Sequence, residues 1–133
     1  MPHPFTVTRE KIANMPHQTV TASAHDRSDR YDGVPVIELL KRAGAPDGEA
    51  IRGPELAKYV VVTGADGYRA VFALAELAAA FSDRVILLAD RRDGGELPEN
   101  ALPYQVIVPG EKRPARWVRQ VVSIEVMEAP GGK

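Results

Sequence analysis

The densest group of basic side chains in this sequence lies on a short segment between two apolar stretches. Lys112, Arg113, Arg116 and Arg119 follow Pro109-Gly110, and this dipeptide indicates a loop. The planar guanidinium of arginine can donate two hydrogen bonds at once to a phosphate or a carboxylate. The spacing therefore fits an anion-binding site, and it fits a solvated basic face equally well.

Few other side chains have a spacing typical of catalysis or metal binding. The histidines His3, His17 and His25 lack the spacing of metal ligands, so we interpret them as solvated. Asp66 lies in a glycine-bounded turn, where aspartate is commonly structural, and the charged run Asp90–Asp93 is interpreted as a solvated turn. The chain has no cysteine, which excludes disulfides, iron–sulfur clusters, thiolate zinc sites and a cysteine nucleophile.

Length and charge restrict the function classes further. A chain of 133 residues has the size of one domain, which we expect to be ordered over about residues 4–127 with a flexible tail at 128–133. Seventeen basic residues against eighteen acidic ones argue against nucleic-acid binding. The longest apolar run, at 74–81, contains Glu76 and is too short to span a membrane.

The elements that position these side chains are predicted to be mostly short strands. His17–Ala24 alternates as a strand does, and the polar stretch His25–Asp32 predicts a loop. Lys58–Thr63 and Gly67–Ala73 flank a turn of glycine and aspartate, which predicts an antiparallel hairpin. Further strands are predicted at 6–8, 84–89, 103–108 and 117–127.

Helices are predicted over 9–15, 34–43 and 74–81. In the second, Val36, Ile37 and Leu40 form an apolar stripe that should be buried, and Gly44 ends the helix. Thr8 is placed to cap the first helix. Because the helices do not alternate regularly with the strands, we expect an α+β fold with a mixed, mainly antiparallel sheet.

Four segments occur in an order that is characteristic of one family. They are YDGVPVIELLKRAGAP, KYVVVTGADGYRAVFALAEL, YQVIVPG and ARWVRQVVSIEV. The chain thereby resembles the sulfite-oxidase-type molybdopterin-binding domain over about residues 4–127. The resemblance implies the mixed α+β fold of that family, molybdopterin as the cofactor, and an exported, periplasmic protein of a bacterium. A cytoplasmic location is the alternative.

The chain departs from this family at one important position. In catalytic members a cysteine binds molybdenum, and by segment order that position falls near Ala24 or His25. A histidine is not an equivalent of a soft thiolate ligand. The resemblance therefore implies molybdopterin as a ligand, whereas the missing thiolate argues against molybdenum and against an enzyme.

The resemblance also implies which residues face the cofactor. We expect the loop His25–Asp32 and the segment Arg113–Arg119 to converge on one shallow cleft. In it, Arg116 and one further arginine would bind an anion, and an aromatic ring would form a flat wall. The predicted binding residues are His25, Arg27, Arg30, Tyr68, Arg116 and Trp117.

Three function classes remain open. The favoured one is a non-catalytic module that binds a pterin-type or other small anionic ligand, or a partner protein. The first alternative is an active molybdopterin-dependent oxidoreductase, whose metal would be held by the dithiolene of the cofactor alone. The second alternative is a purely structural or interaction domain.

Overall fold

The computed structural model describes residues 4–46 and 48–130, which form two four-stranded sheets. The strands are β1 (Phe5–Thr6), β2 (Gln18–Ala24), β3 (Arg27–Pro35), β4 (Lys58–Gly64), β5 (Arg69–Ala73), β6 (Leu87–Arg92), β7 (Gln105–Ile107) and β8 (Val121–Glu128). The first sheet has the order β1-β8-β4-β5 and the second has the order β2-β3-β6-β7. Each of these strand pairs is antiparallel, which confirms the expected mainly antiparallel α+β class.

Two short α-helices accompany the sheets, α1 (Arg9–Ala13) and α2 (Val36–Arg42). The predicted cap is confirmed, because the Thr8 hydroxyl accepts a hydrogen bond from the N–H of Lys11 at 3.3 Å. Val36, Ile37 and Leu40 are buried as predicted, and the predicted helix starts two residues too early. Within 4–46 and 48–130, no helix is long and apolar enough to cross a membrane.

The two sheets and both helices share one hydrophobic core of mainly aliphatic side chains. Val62 and Ile124 enter it from the first sheet, Val34 and Leu88 from the second, and Leu39 from α2. The predicted hairpin is confirmed: β4 and β5 pair from Tyr59 opposite Ala73 to Thr63 opposite Arg69. The core thus fixes the two sheets against each other, while their turns stay at the surface.

The prediction of a loop over His25–Asp32 is wrong. Most of this stretch belongs to β3, which forms a hairpin with β2 around a turn at His25 and Asp26. A strand is normally recognised by apolar residues that alternate with polar ones. This signal is absent here because both faces of β3 carry polar residues. The buried polar residue in it, Asp29, accepts a hydrogen bond from the Arg27 side chain at 2.8 Å, which offsets part of the cost of its burial.

The prediction of a helix over 74–81 is also wrong. Only Leu74–Leu77 forms one turn of 3₁₀ helix, and Ala78 already has an extended backbone. Leu74, Leu77 and Ala78 are buried at a helical spacing, but so short a segment gains little from helix propensity on its own. The charged run at 90–93 is likewise not only a turn, because β6 continues to Arg92.

Candidate functional site

A cleft of about 470 Å³ opens where four segments of the chain meet, and we call it the arginine cleft. The segments are the β2–β3 hairpin, the β4–β5 turn, the chain between β6 and β7, and the chain before β8. The residues with charged or imidazole side chains that line it are His25, Arg27, Asp29, Asp66, Arg92 and Arg119.

The β2–β3 hairpin supplies one wall of the cleft. His25 and Asp26 both have positive φ angles, 54° and 62°, which lets a two-residue turn join the strands. Because side chains alternate along a strand, Arg27, Asp29 and Tyr31 point to the same face of β3, and all three line the cleft. This face carries one cation, one carboxylate and one aromatic ring.

Arg119 is held in place by the turn between β4 and β5. A Cβ atom added to Gly64 would lie 2.5 Å from the carbonyl oxygen of Arg119, so only glycine permits this close approach. The next residue in the turn, Ala65, donates its N–H to the carbonyl of Gln120 at 2.9 Å. The Arg119 side chain is exposed and forms no ion pair with any residue the structure describes.

Three aromatic side chains form flat surfaces in the cleft. Tyr31 and Trp117 contact each other edge to face, with 5.8 Å between their ring centroids. Tyr68 is half exposed, and its hydroxyl donates to the carbonyl of Ala115 across the cleft. The indole N–H of Trp117 is buried and has no hydrogen-bond partner among the described residues.

The electrostatics of the cleft are mixed, with arginine in excess. Burial, helped by the Asp29 carboxylate, raises the pKa of the Tyr31 hydroxyl, so this group stays neutral. The positive charge of Arg92, which is opposite Tyr31 on β6, acts in the other direction and lowers that pKa. Arg27 is paired with Asp29, whereas Arg119 forms no ion pair with any carboxylate that the structure describes. The cleft can therefore attract an anion.

The structure brings four of the six predicted binding residues to the cleft and leaves two elsewhere. His25, Arg27, Tyr68 and Trp117 line it. Arg30 does not, because its odd spacing from Arg27 along β3 sends it to the opposite face of the strand. The backbone N–H of Arg30 donates to Asp93 at 2.8 Å, and this bond is the main cause that lowers the pKa of Asp93.

Arg116 is not among the cleft residues either, which corrects the expected placement. Its guanidinium binds both carboxylate oxygens of Glu111, one of them at 3.1 Å, and reaches Glu76 at 2.6 Å. It also lies 4.3 Å from the centroid of the Phe72 ring and donates to the carbonyl of Val71 at 3.0 Å. All three guanidinium nitrogens of Arg116 already donate hydrogen bonds within the protein. This residue therefore connects elements of the fold.

The remaining predicted features are only partly described. His17 is not simply solvated, because one ring nitrogen hydrogen bonds to Asp90 at 2.8 Å and the other to the carbonyl of Met15 at 2.8 Å. His3 and the tail residues 131–133 lie outside the described residues. Among the residues the structure does describe, no cluster of three or more histidines and carboxylates could hold a metal ion.

Among the cleft residues that the sequence did not predict as binding residues, Tyr31, Arg92 and Arg119 matter most for an aromatic, anionic ligand. The signal for Arg119 was present, since it belongs to the basic segment, three residues beyond Arg116. The signal for Tyr31 was its even spacing from Arg27, once the stretch is taken as a strand. Arg92 had no local signal, because only its pairing with Tyr31 brings it to the cleft.

The family model for the oxidoreductase molybdopterin binding domain matches residues 7–132, nearly the whole chain. No match was found among the curated proteins.

Proposed function

We propose that this chain, which belongs to the oxidoreductase molybdopterin-binding domain family, is a non-catalytic module that binds a planar anionic ligand in the arginine cleft. The observation that carries this proposal is the presence of three arginines and three aromatic rings in one cavity of about 470 Å³. Flat rings favour a flat heterocycle, and guanidinium groups favour a phosphate. A pterin with a phosphate group has both features.

The chemistry of the lining residues fits the pterin and its phosphate, but it does not fit thiolate-bound molybdenum. Ala24, near the position at which catalytic relatives place their cysteine, contributes only a methyl group to the cleft. The whole chain has no cysteine, and the nearby His25 is a harder ligand than a thiolate. We therefore propose binding without a thiolate-held metal, and we assign no redox step to these residues.

The three arginines would contribute unequally. Arg27 already binds Asp29 at 2.8 Å, so it must share its donors with the ligand. Arg119 has no such competitor among the described residues. One hydrogen bond to a charged group contributes about 1.5–3 kcal/mol, so Arg119 alone accounts for about tenfold in affinity or more.

A direct test is the titration of the protein with a pterin monophosphate, followed by the fluorescence of Trp117, the single tryptophan of the chain. We expect saturable quenching, and we expect Arg119→Gln to weaken binding about tenfold or more. Arg113→Gln is the matched control, because Arg113 is exposed on the same segment and does not line the cleft. Equal affinities of the two variants would contradict the assignment of Arg119.

A second test addresses the metal. The protein is purified from a host that makes the molybdenum cofactor, and its pterin and molybdenum contents are measured. We expect pterin fluorescence after oxidation with far less than one molybdenum per chain. Stoichiometric molybdenum together with sulfite oxidation would instead support the active oxidoreductase, and the absence of both pterin and titratable binding would leave the structural role.

We also propose that the protein is exported to the periplasm. The family resemblance supports this location, and a chain without cysteine is suited to an oxidising compartment. Fractionation of cells that carry the native gene tests it, and recovery of the protein with cytoplasmic markers would contradict it.

A further inference from the structure

The edges of the two sheets differ in how they are protected from other strands. The edge strand β1 is only two residues long. At the edge strand β5, the Arg116 guanidinium donates a hydrogen bond to the carbonyl of Val71 at 3.0 Å. At the edge strand β7, the N–H of Val106 donates to the carbonyl of Val118 at 2.9 Å. The fourth edge, β2, is seven residues long and has no such cover among the described residues.

The turn of the β2–β3 hairpin determines which backbone groups of β2 point outward. A two-residue turn makes its flanking residues, Ala24 and Arg27, a hydrogen-bonded pair. Hydrogen-bonded and non-hydrogen-bonded pairs then alternate along the ladder, so the N–H and C=O groups of Thr19, Thr21 and Ser23 face away from β3. None of these outward groups hydrogen bonds to another described residue, and all three side chains are exposed.

The usual devices that protect an edge strand are missing from β2. Its sequence, QTVTASA, contains no lysine, no proline and no other charged residue. Its pairing with β3 from Gln18 to Ala24 is regular, so no bulge twists the edge away. Unprotected edges of this kind are templates for a further strand.

We propose that β2 pairs with β2 of a second copy of this chain, antiparallel and with the two-fold axis at Thr21. Between the two copies, only residues whose backbone groups point outward can form hydrogen-bonded pairs. Because Thr21 is the middle residue of β2, a two-fold axis at Thr21 pairs the strand over its full length. The opposed residues are then Thr21 with Thr21, Thr19 with Ser23, Val20 with Ala22, and Gln18 with Ala24.

The chemistry of this register identifies the second copy as the occupant. On one face of the joint sheet, threonine is opposite threonine or serine, a favourable cross-strand combination. On the other face, Val20 is opposite Ala22, and both are apolar. Because β2 carries no charge, two copies in this register bring no like charges together. The β2-β3-β6-β7 sheet of one copy joins the same sheet of the other copy, which gives one continuous sheet of eight strands. In this dimer the Ala24 residues of the two copies are about 20 Å apart.

The oligomeric state of the full chain tests the proposal. We expect sedimentation equilibrium to show a dimer whose fraction rises with protein concentration. Thr21→Lys puts two like charges directly opposite each other and should weaken the dimer about tenfold or more. Ser28→Lys is the matched control, because Ser28 is exposed on β3, one strand away from the edge, and this variant should dimerise normally.

Amide exchange measured by NMR tests the register itself. In the monomer, the amides of Val20 and Ala22 are protected by β3, while those of Thr19, Thr21 and Ser23 exchange freely. The second set should become protected only as the concentration rises. Thr21→Pro removes an outward donor without removing a bond to β3, so this variant should stay folded and lose the dimer.

Each of the following results would overturn the proposal. They are a chain that stays monomeric at millimolar concentration, a dimer that Thr21→Lys and Thr21→Pro leave intact, and protection of the outward amides at every concentration. A monomer that captures an unrelated peptide along β2 would also overturn it, since the edge would then serve a different partner.

Discussion

Arg116 and Arg119 belong to the same basic segment, and the structure gives them opposite surroundings. Arg116 is half-buried, with two carboxylates, a backbone carbonyl and the Phe72 ring around its guanidinium. Arg119 is exposed at the cleft and has no carboxylate partner among the described residues. One arginine has all of its donors engaged within the fold, whereas the other has them available for a ligand.

This difference shows that the role of an arginine in a basic segment depends on its partners rather than on its place in a motif. The two Glu111 contacts raise the pKa of the Arg116 guanidinium further above its already high ordinary value, so its charge is permanent and neutralised locally. Arg119, in contrast, lines the cavity of the arginine cleft. We therefore expect Arg116 to contribute mainly to stability, and we propose that Arg119 contributes to ligand binding.

The largest effect that we expect is the loss of stability on Arg116→Ala. This change leaves Glu76 and Glu111 without their main partner and removes the ring contact with Phe72. Since hydrogen bonds to charged groups contribute about 1.5–3 kcal/mol each and this cluster is partly exposed, we expect a loss of about 2–3 kcal/mol. Unfolding in urea, followed by circular dichroism, measures it.

Arg119→Gln is the comparison variant for stability, and its free energy of unfolding should change by less than about 0.5 kcal/mol. The proposed difference between Arg116 and Arg119 would be contradicted if Arg116→Ala had the same free energy of unfolding as the native protein. It would also be contradicted if Arg116→Ala lost as much ligand affinity as Arg119→Gln at a temperature at which Arg116→Ala is folded.

The sequence was sufficient to predict the elements with a clear pattern. The apolar stripe with Val36, Ile37 and Leu40 predicted α2, and the turn at Asp66 predicted the β4–β5 hairpin. The convergence of the His25–Asp32 stretch with the segment before β8 was also foreseen, through the family resemblance. Local pattern and segment order thus located the cleft.

The sequence could not indicate how the arginines are distributed. The partners of Arg116 include Glu76, which is forty residues away and lies in the single 3₁₀ turn that replaces the predicted helix. A loop has no faces, so the loop prediction makes Arg27 and Arg30 equivalent, whereas the two faces of β3 separate their side chains. Side-chain direction and long-range pairing decide such roles, and neither is visible in a list of charged residues.

A smaller effect is expected from Gly64→Ala, which connects the two regions. The added methyl group would lie 2.5 Å from the carbonyl oxygen of Arg119, so the segment before β8 must shift. We expect a loss of about 1–2 kcal/mol in stability and a weaker ligand affinity, because Arg119 moves. Gly95→Ala is the control, since its nearest contact would be 3.8 Å from the carbonyl oxygen of Arg92. Unchanged affinity in folded Gly64→Ala would show that the position of Arg119 does not matter.

The smallest effect that we expect is a pH dependence that separates the two arginines. Hydrogen bonding to Arg116 is the main cause that lowers the pKa of Glu111 from its ordinary value of 4.5. A lowered carboxyl pKa contributes stability that is present above the ordinary value and is lost as the pH falls through the folded value. The stability difference between the native protein and Arg116→Ala should therefore narrow below about pH 4.5, by less than about 1 kcal/mol, since Glu111 is partly exposed. The difference in free energy of unfolding between the native protein and Arg119→Gln should not change with pH, because Arg119 has no described carboxylate partner. Urea unfolding at a series of pH values from 7 to 3 measures both differences, and parallel curves for the two variants would show that Glu111 draws no stability from Arg116.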